Sequence, residues 1–396
     1  MLIESAMRGR VDPHRPICDD DAEADLMLLH FGPQHPSTHG VFRMDLHLDG
    51  EVIVKATPHI GYLHRAVEKL CEQLTYAQQT PIVDKNDYVA PMTNEQALVM
   101  AFEKLLGVEV PRRARWLRTL FAELQRIASH LLWLGTFTLD LGGALGGGST
   151  IFIHCFRERE LVLDLFEAVT GARFHYNTHT LGGNRHDLPA GWGEDAKRAL
   201  ATIEARLPEY EAMSLESSIF IARTKGVGVI DPALALELGI TGPVLRASGV
   251  DHDLRRDAPY HAYDELHVRV AVSEGRDCLA RAQVRFAEIR DSIRMAREAI
   301  DGLPEGPICS AKPMRQVMQI KATTGQAYAA LESPRGELGT YVIASSDVPT
   351  SPHRLKIRAP SLHALSVLPY VLPGHNVSDA VAILGSLDPI MGEVDR

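Results

Sequence analysis

The chain has 396 residues, of which 45% are hydrophobic and 23% are charged, and its formal net charge at pH 7 is -10. This length and composition indicate a soluble globular protein with a large buried core. The negative charge argues against nucleic acid as the main partner, because a phosphate backbone is bound by a basic surface.

The sequence shows no signal for membrane insertion or export. The longest apolar candidate, 131–145, is too short to cross a bilayer and contains Asp140. The N-terminus lacks the apolar core of a secretory signal. Any contact with a membrane is therefore expected through a partner protein.

The cysteines favour a reducing compartment. They are odd in number, and no two of them form a C-x-x-C pair, so neither a disulfide framework nor a cysteine-bound cluster is expected in this chain. The five are Cys18, Cys71, Cys155, Cys278 and Cys309.

The first part of the chain predicts a short extension followed by a hairpin. Residues 1–25 mix both charges with little apolar periodicity and are predicted to be a mobile extension. Residues 41–60 alternate apolar and polar side chains around Asp49-Gly50, which is typical of a β-hairpin turn. The period then becomes helical over about 65–79, and Pro81 is expected to end that helix.

The middle of the chain predicts mostly helices. Thr93 and Gln96 match a capping box at a helix start, Gly107 matches a helix end, and Pro111 is expected in the first turn of a long helix. That helix carries an apolar stripe at three- and four-residue spacing. The stripe consists of Trp116, Leu117, Leu120, Leu124, Ile127, Leu131 and Leu134.

The rest of the chain completes an α+β pattern. A glycine-rich stretch, 142–148, predicts a flexible break without the context of a phosphate-binding loop. The remaining predicted elements are helices over 152–170, 194–207, 272–300 and 378–384, and strands over 337–344 and 354–358. We therefore expect one α+β domain over 26–396, in which a central helical bundle (about 65–330) lies between an N-terminal β region (about 28–62) and a C-terminal β and tail region (about 333–396).

The loop 32–40, GPQHPSTHG, is the densest chemical signal in the chain. Two prolines and two glycines make a regular helix unfavourable there, so His35 and His39 are expected on a rigid, irregular loop. One interpretation is that both histidines only hydrogen-bond the backbone. A zinc site is a poor alternative, because the residues between them are Pro-Ser-Thr instead of the helical H-E-x-x-H pattern.

Two further side chains need a partner or a role. Tyr88 ends a polar turn that begins at Asp84, where an ordinary tyrosine at the edge of the core is one interpretation. Asp140 follows an apolar helix end, and a buried carboxylate there must be paired because an isolated one costs several kcal/mol. Its partner is either a loop amide or a histidine, which the carboxylate would orient or hold charged.

Taken together, the motifs of the chain resemble one family over residues from about 28 to 396. The sequence is similar to the D subunit, the hydrogenase-like large subunit, of the proton-pumping NADH–quinone oxidoreductase known as respiratory complex I. The motifs that carry the resemblance are GPQHPSTHGVFR (32–43), PHIGYLHRAVEK (58–69), FRERE (156–160), LRASG (245–249), SPRGELG (333–339), KIRAPS (356–361) and SLDPIMGEVDR (386–396).

The resemblance implies a quinone site. In the family, the residues that match His39 and Tyr88 hydrogen-bond the quinone headgroup, and the one that matches Asp140 pairs with the histidine. His35 would line the same loop. Phenol and imidazole suit this role, because each can donate a hydrogen bond and then a proton to a carbonyl oxygen.

The tail also resembles a metal site that has lost its ligands. Large subunits of nickel–iron hydrogenases supply four thiolates from two C-x-x-C motifs, one of them at the C-terminus. Here those positions are Asp87, Ala90, Ile390 and Glu393. An alkyl chain and a lone carboxylate are poor substitutes for soft thiolates, so the resemblance implies a hydrogenase-like fold with no metal.

The family also implies partners and a location. Arg65 and His175 match residues beside an iron–sulfur cluster that belongs to the small partner subunit, so quinone is a substrate and this chain alone holds no cofactor. Other partners would be further peripheral-arm subunits and the quinone-channel membrane subunit, at the cytoplasmic side of the cell membrane. NADH as the electron donor is implied by the family alone. A divergent hydrogenase-like complex, a ferredoxin-linked complex and a non-catalytic scaffold remain alternatives.

Three departures from the family pattern concern the surroundings of the site. The stretch after Asp140 is longer and richer in glycine than usual, and Lys85 stands where an arginine is common, which keeps the charge and loses the bidentate geometry. His179 and His186 are additional histidines, and both are expected on solvent-exposed loops.

Overall fold

The computed structural model describes residues 26–142, 148–310, 320–322 and 324–396. The predicted extension, 1–25, and residues 143–147 of the predicted glycine-rich break lie outside them. Within this part of the chain the fold is the predicted mixture of helices and sheets. No helix there is long and apolar enough to span a membrane.

The strands form two antiparallel three-stranded sheets and one very short ribbon. The N-terminal sheet has the order β1-β2-β3, the ribbon pairs β4 with β5, and the C-terminal sheet has the order β6-β7-β8. The strands are β1 (Met27–Phe31), β2 (Arg43–Asp49), β3 (Val52–His59), β4 (His179–Thr180), β5 (Gly183–Asn184), β6 (Gly325–Ser333), β7 (Gly336–Ala344) and β8 (Arg354–Arg358).

The helices range from one turn to eight turns, and the long ones lie in the middle of the chain. They are α1 (Val67–Cys71), α2 (Thr80–Val83), α3 (Pro91–Leu106), α4 (Arg112–Asp140), α5 (Gly148–Thr170), α6 (Trp192–Met213), α7 (Ser218–Thr224), α8 (Pro232–Glu237), α9 (Gly242–Ala247), α10 (Leu254–Asp257), α11 (Cys278–Asp301), α12 (Pro360–Leu365), α13 (Leu368–Val371), α14 (Val377–Leu387) and α15 (Met391–Asp395).

The predicted hairpin is present in β2 and β3. Gly50 lies in the turn with φ of 60°, a conformation that glycine adopts without strain. Alternate residues of β2, namely Met44, Leu46 and Leu48, are buried, as the period of two requires. The hairpin therefore packs one apolar face into the same core cluster as the helices.

Helix α4 lies at the centre of the helical packing. Its predicted apolar stripe is buried throughout, and α5, α11, α3 and α14 pack around it. The C-terminal sheet packs on α3 through β6 and β7. This arrangement brings the end of α4 and the end of α14 next to the loop 32–40, which is where the site forms.

Several predicted helix boundaries were wrong because proline and caps act differently from the expectation. Residues 65–79 form only α1 and a 3-10 turn at Tyr76–Gln78, and Pro81 lies in the first turn of α2 instead of ending a helix. Helix α3 begins at Pro91, so Thr93 lies inside its first turn, where its hydroxyl donates to the carbonyl of Ala90.

Two more boundaries and one strand also differ. Pro111 is the residue before α4 and not a residue of its first turn. Helix α11 begins six residues later than predicted, at Cys278, because the Asp277 carboxylate accepts from the Ala280 amide and caps it. The strand β6 was missed; it occupies the predicted end of the helical core and pairs with β7 along its whole length.

Candidate functional site

The loop 32–40 holds His39 at the surface of the core. Residues Pro36–Thr38 form a 3-10 turn, and His39 ends it in the left-handed conformation, with φ of 54°. A non-glycine residue in this region costs about 1–3 kcal/mol and persists only where its surroundings enforce it. At His39 the side chain contributes such a contact, because its Nε2 lies 2.6 Å from Asp140 Oδ2.

The pair of His39 and Asp140 joins two distant parts of the chain. Asp140 is the last residue of α4, and the side chains of His39 and Asp140 are 11% and 9% exposed. Of the two partners considered for Asp140, the histidine is the one that contacts it. Gly385 in α14 closes the pair from one side, because a Cβ on it would lie 3.0 Å from Asp140 Oδ2 and 3.3 Å from His39 Nε2.

A cavity of about 190 Å³ opens beside this pair. Its walls combine an imidazole, a phenol, a guanidinium and a carboxyl group with apolar side chains, which is the composition of a small-molecule site. The described residues that line it are His39, Tyr88, Val89, Leu132, Thr136, Arg159, Phe174, Asp388 and Ile390. A larger groove of about 620 Å³ along α11 has no imidazole or phenol among the described residues of its walls.

Tyr88 reaches the cavity from the turn between α2 and α3. Its side chain is half-buried, and burial raises the pKa of the phenol while the Arg335 guanidinium opposes that rise. The phenol therefore stays protonated at neutral pH and can act as a donor.

His35 lies on the same loop as His39 but in a different environment. Its ring packs 4.6 Å from the ring of Phe31, and its Nδ1 accepts from the Ser37 amide at 3.2 Å. It is exposed and is not among the described residues that line the cavity.

Arg65 and His175 lie near each other and near Asp84, at the start of the turn that carries Tyr88. Burial lowers the pKa of His175, and the positive charges of Lys85 and Arg65 lower it further. His175 Nδ1 lies 3.7 Å from Asp84 Oδ1, and its ring packs against that of Phe174, which lines the cavity. The basic face formed by Arg65, Lys85 and His175 is therefore one residue away from the cavity wall.

The four positions that match hydrogenase thiolates by resemblance are of two kinds. Ala90 and Ile390 are apolar and buried, and Ile390 lines the cavity. Asp87 and Glu393 are fully buried acids. No group of three or more His, Cys, Asp or Glu side chains in the described ranges is arranged to hold a metal ion.

Arg335 neutralises part of this acidic site, a role that was not predicted. It donates to Asp87 Oδ2 at 2.6 Å, to Asp388 Oδ1 at 3.3 Å and to the Asp388 carbonyl at 3.0 Å. Burial alone would lower the pKa of Arg335, but the nearby carboxylates raise it above its usual value. Arg335 belongs to the motif SPRGELG, yet nothing in that motif indicates a partner 248 residues earlier.

The prediction for His179 was wrong, while His186 is exposed as expected. His179 is fully buried, with Nδ1 2.8 Å from Asn184 Oδ1 and Nε2 3.1 Å from Gln96 Nε2. Burial lowers the pKa of His179 to about 3, so it is neutral. It was misassigned because Gln96 comes from a segment 83 residues away that the sequence does not show to be close.

Known proteins similar to this chain carry one family description. The family profile described as the 49 kDa subunit of respiratory-chain NADH dehydrogenase matches residues 146–396. The chain is 45% identical to the second D subunit of the NADH-quinone oxidoreductase of Koribacter versatilis, over 93% of this chain and 96% of that protein. It is also 45% identical to the D subunit of the NADH-quinone oxidoreductase of Geobacillus kaustophilus, with 93% and 98% covered.

A solved structure is similar as well. It is that of the membrane-bound sulfane sulfur reductase, an archaeal respiratory membrane complex, one chain of which superposes with a TM-score of 0.89 at 34% identity, over 96% of this chain and 100% of that one. The family profile and the sequence relatives show that the chain belongs to the family of the 49 kDa subunit of respiratory-chain NADH dehydrogenase, and the solved structure shows the same fold.

Proposed function

We propose that this chain is the part of a proton-translocating NADH–quinone oxidoreductase that binds and protonates the quinone headgroup. The observation that carries the proposal is the convergence of the Tyr88 phenol and the Asp140-bound His39 imidazole on one cavity with apolar walls. A neutral quinone needs an apolar pocket with a few polar anchors, and its reduction needs two protons.

His39 has one nitrogen free for the substrate. Its Nε2 is held by Asp140, so Nδ1 is the atom that can donate to a quinone oxygen. The carboxylate fixes the ring orientation and stabilises positive charge on it. Reduction of quinone by two electrons then takes one proton from His39 Nδ1 and one from the Tyr88 hydroxyl.

Proton transfer changes the charge balance of the pair. When the imidazolium becomes neutral, the Asp140 carboxylate at the end of α4 loses its compensating charge in a place that is only 9% exposed. We propose this change as the trigger that links quinone reduction to distant proton translocation.

The other parts of the machinery belong to partners. We infer that the face with Arg65 and His175 contacts the small iron–sulfur subunit, whose cluster delivers the electrons, because this face adjoins the cavity through Phe174. Further peripheral-arm subunits and a quinone-channel membrane subunit would complete the complex at the cytoplasmic side of the cell membrane, with NADH as the donor.

The test is Tyr88→Phe as the only copy in membranes, with assembly followed on native gels. We expect NADH-driven quinone reduction to fall about 100-fold, the lower range for loss of a general acid. Reduction of an artificial acceptor at the upstream flavin should stay unchanged. Tyr370→Phe is the matched control, since Tyr370 is 46% exposed and does not line the cavity. Unchanged quinone reduction by Tyr88→Phe would leave the chain only the role of a scaffold.

A second candidate follows from the solved relative. The high similarity to a chain of a sulfane sulfur reductase favours a divergent respiratory complex with a sulfur acceptor as the alternative. Offering quinone and polysulfide to the same membranes separates the two. We expect quinone to be reduced and polysulfide not; the reverse would select the alternative.

A further inference from the structure

Three buried carboxyl groups lie at the cavity wall near Tyr88, and we call them the carboxyl cluster. They are Asp87, Asp388 and Glu393, which are 0%, 3% and 1% exposed. Asp388 lines the cavity itself together with Tyr88. Each of the three carboxylates, and the Tyr88 phenol, raises the pKa of Arg335, so all four groups surround this one guanidinium.

The cluster carries more negative than positive charge when all its acids are ionised. Arg335 is the only cation that donates hydrogen bonds to it among the described residues. Arg285 in α11 faces Asp388, whose charge opposes the fall in the Arg285 pKa, but Nε and Nη2 of Arg285 have no protein partner and its guanidinium stacks 4.3 Å above Trp133. Three buried anions thus face at most two cations, and an unpaired buried carboxylate costs several kcal/mol.

The other charged groups of the same tail do not change this count. The Asp395 carboxylate accepts from the amides of Gly61 and Leu63, both at 2.7 Å. Arg396 donates to the carbonyl of Ile357 and lies 3.6 Å from Glu68. Both point toward the segment around α1 and not toward the cluster.

Hydrogen bonds from Arg335 distinguish the three carboxyls. One oxygen of Asp388 has no protein partner, like one of Glu393, but Arg335 donates to Asp388 Oδ1 and to the Asp388 carbonyl. Asp87 accepts from Arg335 and from the amides of Val89 and Ala90. Glu393 Oε1 accepts from the Ser361 amide at 2.8 Å, and its Oε2 has no protein partner. Burial and the nearby Asp87 charge raise the pKa of Glu393 to about 7.

We propose that Glu393 holds one proton in the resting site and returns it to Tyr88 after quinone has taken the phenol proton. The proposal rests on the quinone site proposed above, and it makes Glu393 a proton reserve that does not touch the substrate. Asp388 accepts from the Arg335 guanidinium and lines the cavity together with Tyr88, so the carboxyl cluster extends to the cavity wall.

The step balances without a further reactant. Quinone takes two electrons from the iron–sulfur cluster of the partner subunit, one proton from His39 and one from Tyr88, and leaves as quinol. The Tyr88 phenolate then accepts the Glu393 proton, so Tyr88 is a phenol again and Glu393 a carboxylate. Glu393 and His39 afterwards each take one proton from solvent, which replaces the two protons that leave with quinol and returns the cycle to its start.

The experiment is infrared difference spectroscopy on the intact oxidised complex, wild type against Glu393→Gln, without quinone turnover. We expect a protonated-carboxyl band that disappears as the pH rises through about 7 and that is missing in the variant. Glu298→Gln, on the exposed side of α11, is the matched control and should keep the band. A band that survives in Glu393→Gln overturns the proposal.

Turnover supplies a second readout. Quinone reduction by Glu393→Gln should fall about tenfold, less than the roughly 100-fold expected for loss of a direct proton donor, because Glu393 does not touch the substrate. The solvent deuterium isotope effect should increase. Turnover and an isotope effect equal to those of wild type would refute the role of Glu393 as a proton reserve, even if the band is lost.

If Glu393→Gln does not assemble, Glu393→Asp replaces it, and the pH at which its carboxyl band disappears must differ from that of wild type. A carboxyl band of Glu393→Asp that disappears at the same pH as in wild type would show that the band does not belong to residue 393. Because the band is recorded without quinone, failure here is distinct from failure of Tyr88→Phe.

Discussion

Two histidine–carboxylate pairs in this molecule look alike and differ in what they can do. His39 and Asp140 lie 2.6 Å apart at a cavity, with side chains 11% and 9% exposed. His130 and Glu288 lie 2.9 Å apart between α4 and α11, with side chains 0% and 1% exposed. The first pair has a free ring nitrogen beside the cavity.

The second pair is held in a neutral-imidazole state by its surroundings. Burial lowers the pKa of His130 to about 4 against the opposing pull of Glu288. Arg246 already compensates Glu288, donating to its Oε1 through Nη2 at 2.8 Å and through Nε at 3.1 Å. A carboxylate partner therefore makes a histidine a proton donor only where the carboxylate has no stronger cation and solvent or substrate has access.

The largest expected effect comes from breaking the buried network of the second pair. Arg246→Met removes the cation shared by Glu288, Glu332 and Asp253. Uncompensated buried charge of this kind destabilises by about 3–5 kcal/mol. Thermal denaturation of the purified complex should show a lower midpoint for this chain, or native gels should show failed assembly.

The control for this variant is an exposed arginine. Arg256→Met removes bonds to Asp251 and Asp257 at the surface, and exposed ion pairs contribute about 1 kcal/mol or less. Equal stability of the two variants would mean that the buried network contributes no more than a surface pair.

The next effect is a pH dependence of stability. Folded His130 titrates near pH 4 and unfolded histidine near 6.5, so between these values the unfolded state binds more protons. Stability must therefore fall as the pH falls from about 6.5 to about 4. His130→Gln should flatten this limb by on the order of 1–3 kcal/mol. Unfolding curves between pH 4 and 6.5 measure this pH dependence of the free energy of unfolding. His186→Gln, at an exposed histidine, is the control and should keep the wild-type pH dependence. If His130→Gln also keeps it, another buried group causes the loss of stability.

Much of the fold, and part of the site, could be predicted from local sequence. Asp49-Gly50 determines the β2–β3 turn, and the stripe of α4 is long and regular enough to identify its buried face. Motifs indicated His39, Tyr88 and Asp140 as candidates before the structure brought His39 within 2.6 Å of Asp140.

What failed in the prediction depends on contacts between distant segments. His179 was misjudged because Gln96, 83 residues away, supplies a partner in the core. The carboxyl cluster was not predicted for the same reason: Asp87 and Glu393 were recognised only as positions that match hydrogenase thiolates, and the cation that they share, Arg335, comes from another motif. Periodicity predicts which face of an element is buried, and it does not predict which polar groups meet there.

A smaller effect is expected at the first pair. Asp140→Asn keeps an acceptor for His39 Nε2 and removes the negative charge, so the imidazolium is less favoured. Quinone reduction should fall about tenfold, equivalent to about 1.4 kcal/mol in the barrier, or lose its coupling to proton translocation. Native gels should show normal assembly. Full turnover with full proton pumping would exclude Asp140 from the mechanism.

The smallest expected effect tests the geometry of the pair without changing its chemistry. In Gly385→Ala, the new Cβ would lie 3.0 Å from Asp140 Oδ2, 3.1 Å from Phe137 and 3.3 Å from His39 Nε2, so the pair must shift by a few tenths of an ångström. Alanine favours the helix by up to about 1 kcal/mol, so stability should not fall.

A shift of this size in a positioned donor should lower quinone turnover about two- to fivefold, because misplacement by about 1 Å can reduce rates about 100-fold. Gly193→Ala in α6 is the matched control, since its Cβ would meet only Ile300, at 3.2 Å. The steady-state rate of quinone reduction at saturating NADH measures both variants. If both turn over at the wild-type rate, the position of His39 relative to Asp140 does not limit proton donation, and the difference between the two histidine pairs reduces to solvent access alone.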